Sequence, residues 1–354
     1  LPGLDAPVTV HRDESGVPTI EAETAHDLFL AQGFVHAQDR FWEMDFRRHV
    51  TSGRLSELFG KSQLGTDTFI RTLGWRKVAE QEVKKLDKTS LGYYEAYADG
   101  VNAYLKDKSP TELSLEYAVL GLETGSTEVE KWTPVDSVAW LKAMAWDLRS
   151  NLEDEIDRSI LGSELTDEQM SDLYPDYPYA TRPTILGGRA GDKAPKDRSG
   201  DDVEQKPRVD DRAREDDEAH AGGTVTEAPR TGNTDTEAAV PTDDLLELRN
   251  TLTSLPPMLG QNSDDIGSNS WVISGDHTNT GRPLLSNDPH LAPAMPSVWY
   301  QVGLRCKKVT DACPFDVTGF SFSGLPGVVI GHNQSIAWGL TNLGADVTDL
   351  VVEK

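Results

Sequence analysis

The 354-residue chain has room for two ordinary domains or one large domain with an insertion, and 37% hydrophobic residues are enough to build a sizeable core. Its 59 acidic and 34 basic residues give a formal charge of −25, a field that repels phosphate and argues against nucleic acid as a partner. No run of eighteen apolar residues occurs, and Leu1-Pro2-Gly3-Leu4-Asp5 is not the basic-then-apolar start of an export signal, so neither a membrane span nor an intact signal segment is expected.

The first element is a hairpin: Val8-Thr-Val10 and Pro18-Thr-Ile20 flank the turn signal Asp13-Glu-Ser-Gly16. Thr24-Ala-His-Asp27 reads as a capping box, followed by a long amphipathic helix over 28–46 with Leu30, Phe34, Phe41 and Met44 at roughly helical spacing. Tyr93, Tyr97, Val101 and Leu105 repeat that spacing. Val138, Leu141, Ala145 and Leu148 do so again behind Pro134, a residue suited to the first helical turn.

Between Gly187 and Asp244 the character changes. These 58 residues hold 16 acids, 9 bases and none of Leu, Ile, Met, Phe, Tyr or Trp, so almost no apolar area offsets the backbone entropy of ordering them. A disordered linker or insert is expected. A short helix over 245–255 follows, ended by Pro256-Pro257. From Ser270 onward strands are expected at Trp271-Val-Ile273, Pro283-Leu-Leu285, Val298-Trp-Tyr-Gln-Val302 and Gly327-Val-Val-Ile330, with a turn at His277–Gly281. Helices first and strands later predict an α+β fold with a mostly antiparallel sheet. No internal repeat is present.

The chemistry centres on Gly267-Ser268-Asn269-Ser270-Trp271-Val272-Ile273, just after the insert and at the start of the sheet half. No Gly-x-Ser-x-Gly elbow occurs, so a nucleophilic serine needs another base. A serine at a chain terminus carries its own, because an α-amine titrates near about 7.7–8 and can accept the hydroxyl proton. That design requires a cut between Gly267 and Ser268, and glycine before the serine admits the strained backbone of an N-to-O acyl shift.

These residues resemble the penicillin acylase family of N-terminal-nucleophile hydrolases. The resemblance spans most of the chain outside the insert: Phe34-Val-His-Ala-Gln-Asp-Arg-Phe-Trp42, Ser52-Gly-Arg-Leu-Ser-Glu-Leu-Phe-Gly60, Tyr97-Ala-Asp-Gly-Val-Asn-Ala-Tyr104, Leu152-Glu-Asp-Glu-Ile-Asp157, Gly267-Ser-Asn-Ser-Trp-Val272, Asn287-Asp-Pro-His290, Gly331-His-Asn333 and Trp338-Gly-Leu-Thr-Asn342. It implies an αββα sandwich with antiparallel sheets. Residues 1–182 then form a mainly helical α-subunit segment, 183–267 an acidic spacer with a short helix, and 268–354 the first part of a catalytic β-subunit segment whose remainder lies beyond Lys354.

By the same resemblance Ser268 is both the self-cleavage site after Gly267 and the nucleophile. His290 matches the nucleophile-bonding histidine of cephalosporin and acyl-homoserine-lactone acylases, and Asn342 matches a backbone oxyanion donor. One structural calcium ion is implied, held by Glu155, Asp346 and Asp349 with the Thr348 carbonyl, a hard oxygen set suited to that ion. For the acyl pocket, Met144 and Leu148 stand four apart on one helix face, and Leu291 and Ile330 match positions that are aromatic in phenylacetyl-selective relatives; aliphatic side chains there point to an aliphatic acyl group. Cys306 and Cys313 stand at a spacing able to close a hairpin disulfide, which implies an oxidising compartment, and export to the periplasm or the medium is expected.

The expected function is autoprocessing hydrolysis of a small N-acyl amide through an acyl-enzyme, by an α/β heterodimer cut from one precursor and needing no organic cofactor. The opposing expectation is a secreted acidic binding or structural module in which Ser268 is never processed. A Ser268–His290–Asp288 triad is disfavoured, on the expectation that Asp288 and His290 point to opposite sides of the segment.

Overall fold

The computed structural model describes residues 1–124, 129–178, 181–182, 241–253, 268–291, 293–344 and 347–351. Gly267, Asp346, Pro256-Pro257 and the expected disordered stretch up to residue 240 lie outside the described residues. The chain forms two units, residues 1–157 with 242–354 and residues 158–241.

The first unit opens with β1 (Thr9–Arg12) and β2 (Pro18–Ala22), antiparallel with Val10 opposite Ile20. Asp13 makes the turn, its Oδ1 accepting the Ser15 and Val17 N–H groups, and Gly16 takes φ +79°. Next come α1 (Ala25–Thr51), α2 (Leu55–Phe59), α3 (Leu64–Leu73), α4 (Trp75–Val83), α5 (Lys88–Leu105), α6 (Pro110–Leu113), α7 (Leu115–Thr124), α8 (Pro134–Asp147) and α9 (Leu152–Leu161). α9 runs across the boundary into the second unit, whose described part holds α10 (Asp167–Leu173), capped by Thr166 and Gln169. Returning to the first unit, α11 (Thr242–Thr253) precedes β3 (Ser268–Ile273), β4 (Leu284–Pro289), β5 (Trp299–Cys306), β6 (Asp316–Phe322), β7 (Ile330–His332) and β8 (Ala337–Trp338).

The α+β expectation holds, with the strands in two sheets. Six strands run in the order β1-β2-β5-β6-β7-β8, and a separate ribbon pairs β3 with β4. All pairings are antiparallel except β2 with β5, where Thr19 to Ala22 lie alongside Gly303 to Cys306. The helical half and the sheet half therefore share one sheet. Ile20, Ala22, Val302 and Leu304 point from it into a core completed by Leu28, Phe29 and Leu30 of α1. Cys306 and Cys313 form a disulfide between β5 and β6.

α1 is the central helix. Thr24 caps it by accepting the Asp27 N–H at 3.0 Å. The expected capping box is only half closed, because the buried Asp27 carboxylate instead accepts the Asp5 and Ala6 N–H groups at 2.9 and 3.0 Å. α1 crosses α5 backbone to backbone. A Cβ on Gly33 would stand 2.0 Å from the Tyr97 carbonyl oxygen, and one on Gly100 would stand 1.8 Å from that of Leu30, so only glycine fits at either position.

Two expectations are corrected. Leu141, placed in the apolar stripe of α8, is 41% exposed. Leu148 is the C-cap of α8, and its N–H still donates to the Met144 carbonyl at 3.1 Å, so the two side chains stay on one side. Of Gly327–Ile330 only Ile330 belongs to a strand, because Gly327 takes φ +94° and its N–H and C=O are both held by the Gln32 side chain, at 2.8 and 2.9 Å.

Buried polar groups of α1 fix the turn after β6. His36 Nδ1 meets the Tyr97 hydroxyl at 2.7 Å and its Nε2 meets Ser321 Oγ at 3.1 Å. Ser321 Oγ donates to the Tyr300 carbonyl at 2.9 Å, so it must accept from Nε2–H, which leaves Nδ1 to accept from Tyr97. Tyr97 in turn accepts the Gly324 N–H at 2.9 Å. Every group in the chain is satisfied, and the imidazole is neutral.

Burial, helped by the Arg40 charge, pushes the His36 pKa down to about 3. In the unfolded chain the ring titrates near about 6.5, so between these values the unfolded state binds the extra proton. The contribution of neutral His36 is complete above about pH 6.5 and falls by roughly 1.4 kcal/mol per pH unit as pH drops toward 3. His36→Gln is expected to flatten the acid limb of stability between about pH 6 and 4, as read by urea denaturation over a pH series.

Candidate active site

Ser268 is half-buried at the head of β3, with Pro289 as its cross-strand partner and Asp288 opposite Asn269. β4 ends at Pro289, and His290 Nε2 stands 2.8 Å from Asp288 Oδ2. This overturns the expectation that the two side chains point to opposite sides, because residues two apart along an extended segment share a face. A carboxylate only accepts, so in this contact His290 Nε2 carries the proton.

Asn342 lies on the exposed coil after β8 and accepts the Gly344 N–H on its Oδ1 at 3.1 Å. The coil is anchored on both sides. Upstream, Trp338 donates its indole N–H to the Val329 carbonyl at 2.8 Å, and downstream Ser150 Oγ donates to the Gly344 carbonyl. Between these, the Asn287 side chain joins Leu340 to the β3–β4 ribbon. Its Nδ2 donates to the carbonyls of Leu340 and Asn269 at 2.9 and 3.2 Å, and its Oδ1 accepts the Leu340 N–H at 3.0 Å. In the sequence Asn287 stands only within the block Asn287-Asp-Pro-His290, and the one signal of its role is a polar residue in a strand next to the candidate histidine.

Three of the four expected acyl-pocket residues come together. Met144, Leu148 and Leu291 pack, partly buried, around one cluster with Phe46, Phe69, Trp146 and Trp299. Ile330 is buried at the start of β7 and takes no part in that cluster. The aromatic residues were missed because each sits in an ordinary helical or strand context. Trp146 is braced by the Arg149 guanidinium, 3.6 Å from its ring centroid, and meets Phe69 and Trp75 with centroids 5.8 Å apart. Burial lowers the Arg149 pKa, with Glu153 and Asp147 opposing that shift.

At the expected metal position Glu155 meets the segment after the coil that carries Asn342. Its Oε1 accepts the Asn151 amide at 2.9 Å and its Oε2 accepts the Leu350 N–H at 3.1 Å, which brings residues 348–350 against α9. Thr348 Oγ1 is buried there with no hydrogen-bond partner among the described residues, and Asp349 is exposed.

The sequence profile of the penicillin amidase family matches residues 7–354, and the chain belongs to that family. It is 30% identical over 357 residues to the acyl-homoserine lactone acylase QuiP of Pseudomonas aeruginosa, covering all of this chain and 35% of that protein. It is also 30% identical over 358 residues to a penicillin acylase 2 proenzyme of a Pseudomonas species, covering 38% of it, and 26% identical to the penicillin G acylase of Escherichia coli, covering 98% of this chain and 40% of that one. The chain thus spans 35–40% of the length of these relatives. Among solved structures, the thermostable penicillin G acylase of Alcaligenes faecalis matches with a TM-score of 0.40 and 23% identity, over 55% of this chain and 98% of that one.

The Asp288–His290 pair is solvent-exposed, with side-chain exposures of 71% and 44%, so it adds little to stability. Asp288→Asn is expected to change unfolding free energy by less than about 1 kcal/mol in denaturant titration, so that a loss of turnover in this variant reports on His290 and not on folding.

Proposed function

We propose that this chain carries the nucleophile of an autoprocessing amidohydrolase that cleaves a small N-acyl amide. The observation that carries the reading is the place of Ser268: in a chain of the penicillin amidase family it heads a strand and pairs with the residue just before His290. Before cleavage the Ser268 nitrogen is an amide and cannot act as base. Attack of Ser268 Oγ on the Gly267 carbonyl, followed by hydrolysis of the resulting ester, frees the α-amine.

In the mature enzyme Ser268 Oγ attacks the acyl carbonyl while its own α-amine takes the proton. The Asn342 N–H stabilises the oxyanion, and the proton passes to the departing amine. Water then attacks the acyl-enzyme with the same amine as base and releases the acid. Met144, Leu148, Leu291 and Ile330 are proposed to contact an aliphatic acyl group, on an aromatic floor of Phe69 and Trp146. The product is an α/β heterodimer, secreted or periplasmic, and the Cys306–Cys313 disulfide supports an oxidising compartment.

The donors at residues 155 and 348–350 fit a calcium ion. All are hard oxygens, the Leu350–Glu155 hydrogen bond brings them near one another, and the orphaned Thr348 Oγ1 marks a polar pocket. Glu155, Asp346, Asp349 and the Thr348 carbonyl would hold it, and the bound ion would cross-link the two subunit segments. Chelation is expected to lower the thermal midpoint of the full-length protein. Glu155→Gln should show a smaller shift on chelation, as read by calorimetry.

The 2.8 Å contact of His290 with Asp288 favours a second reading, a Ser268–His290–Asp288 triad. One experiment addresses both. The full-length precursor should give two polypeptides, one beginning at Ser268 by N-terminal sequencing, and Ser268→Ala should remain uncut and inactive. Chemical blocking of the new α-amine should then abolish amidase turnover, whereas retained turnover points to the triad. An uncut protein with full activity overturns the N-terminal-nucleophile mechanism, and an uncut, inactive wild type favours a binding or structural module.

A further inference from the structure

We infer that Asn287 is a positioning residue that sets the oxyanion donor against the nucleophile, an inference that rests on the proposed roles of Ser268 and Asn342. The coil carrying Asn342 begins where β8 ends at Trp338, so no regular ladder holds its backbone. In place of a ladder, the Asn287 amide pairs with Leu340 as a peptide group would, accepting its N–H at 3.0 Å and donating to its C=O at 2.9 Å. The second Nδ2 proton goes to the Asn269 carbonyl at 3.2 Å, one residue after Ser268.

One side chain therefore contacts the residue next to the nucleophile and the backbone two residues before the donor. Holding Leu340 at both N–H and C=O fixes the two peptide planes that meet at its Cα, the second of which leads through Thr341 to Asn342, and the Gly344 N–H bonded to the Asn342 side chain limits rotation from the other side.

The chemistry demands an amide at this position. The site needs two donors and one acceptor from one planar group, and the Leu340 N–H fixes which side is oxygen. An aspartate would keep the acceptor and turn its other oxygen toward two carbonyls. The partner surface is equally constrained. A Cβ on Gly339 would stand 2.7 Å from Asn287 Cβ and 2.8 Å from its Cγ, so glycine at 339 is what lets the amide approach. The two sequence blocks Asn287-Asp-Pro-His290 and Trp338-Gly-Leu-Thr-Asn342 thus meet at a single contact.

The test uses the full-length, processed protein, with active sites counted by titration with an irreversible serine acylator. Asn287→Asp is expected to lower kcat per active site by about 100-fold, the scale of losing or misplacing one oxyanion donor, while KM stays near the wild-type value. A boronic acid, whose serine adduct is tetrahedral and anionic, should lose affinity by a similar factor, while the product carboxylic acid binds as before. Gly339→Ala should give the same split, and it carries the test if Asn287→Asp yields no processed enzyme. A purely architectural role would move yield and thermal midpoint but leave kcat per active site and boronate affinity intact, and that result overturns the inference. Wild-type kcat in both variants overturns it too, while an inactive Ser268→Ala keeps the proposed mechanism standing. Turnover by Ser268→Ala removes the mechanism itself.

Discussion

The structure depends on one ladder, the parallel pairing of β2 with β5. It joins Thr19–Ala22 to Gly303–Cys306, segments about 280 residues apart in the chain, and loop closure over such a length adds only logarithmically to the entropy cost. Without this pairing the β1–β2 hairpin has no sheet to join, and α1 loses the apolar surface of Val302 and Leu304 on which it rests. The ladder also makes internal scission tolerable. A break between residues 267 and 268 would leave each fragment bound to the other by the β2–β5 hydrogen bonds and by the core that α1 shares with β5.

α1 carries the constraint inward. Its apolar residues lie on the sheet, its Gly33 meets α5 at backbone distance, and its polar residues are spent on the turn after β6. Gln32 holds Gly327, the His36–Tyr97 pair holds Gly324, and Arg47 donates to the Ser323 carbonyl at 3.3 Å. Between those fixed points Leu325 enters the same cluster as Met144 and Leu291. Polar groups buried at the centre of the molecule thus set the wall of the candidate acyl pocket, and each has a hydrogen-bond partner, which keeps the arrangement affordable.

How much of this was legible in the sequence follows from the range of each interaction. The hairpin over 8–20 and α1, α5 and α8 were readable because their turn residues, caps and spacings are local. The sheet half was readable as strands, but the β2–β5 pairing was not, since nothing near Ile20 encodes that Leu304 will lie beside it. The Asp288–His290 contact is legible once strand alternation is applied with its period of two, which puts residues 288 and 290 on one face. Ser268, His290 and Asn342 were named through family resemblance. The amide that links their segments, Asn287, shows its role only when three backbone partners from two separate stretches are seen together.

The directed chain of hydrogen bonds through His36 has a spectroscopic consequence. The imidazole comes from α1 and its Nε2–H acceptor from β6, so that proton is shielded from solvent only while the two ends of the chain are docked. Such a proton exchanges slowly and resonates far downfield of the amide envelope. Its persistence in a spectrum of the nicked protein would report continued association of the two fragments, with no substrate added and no label introduced.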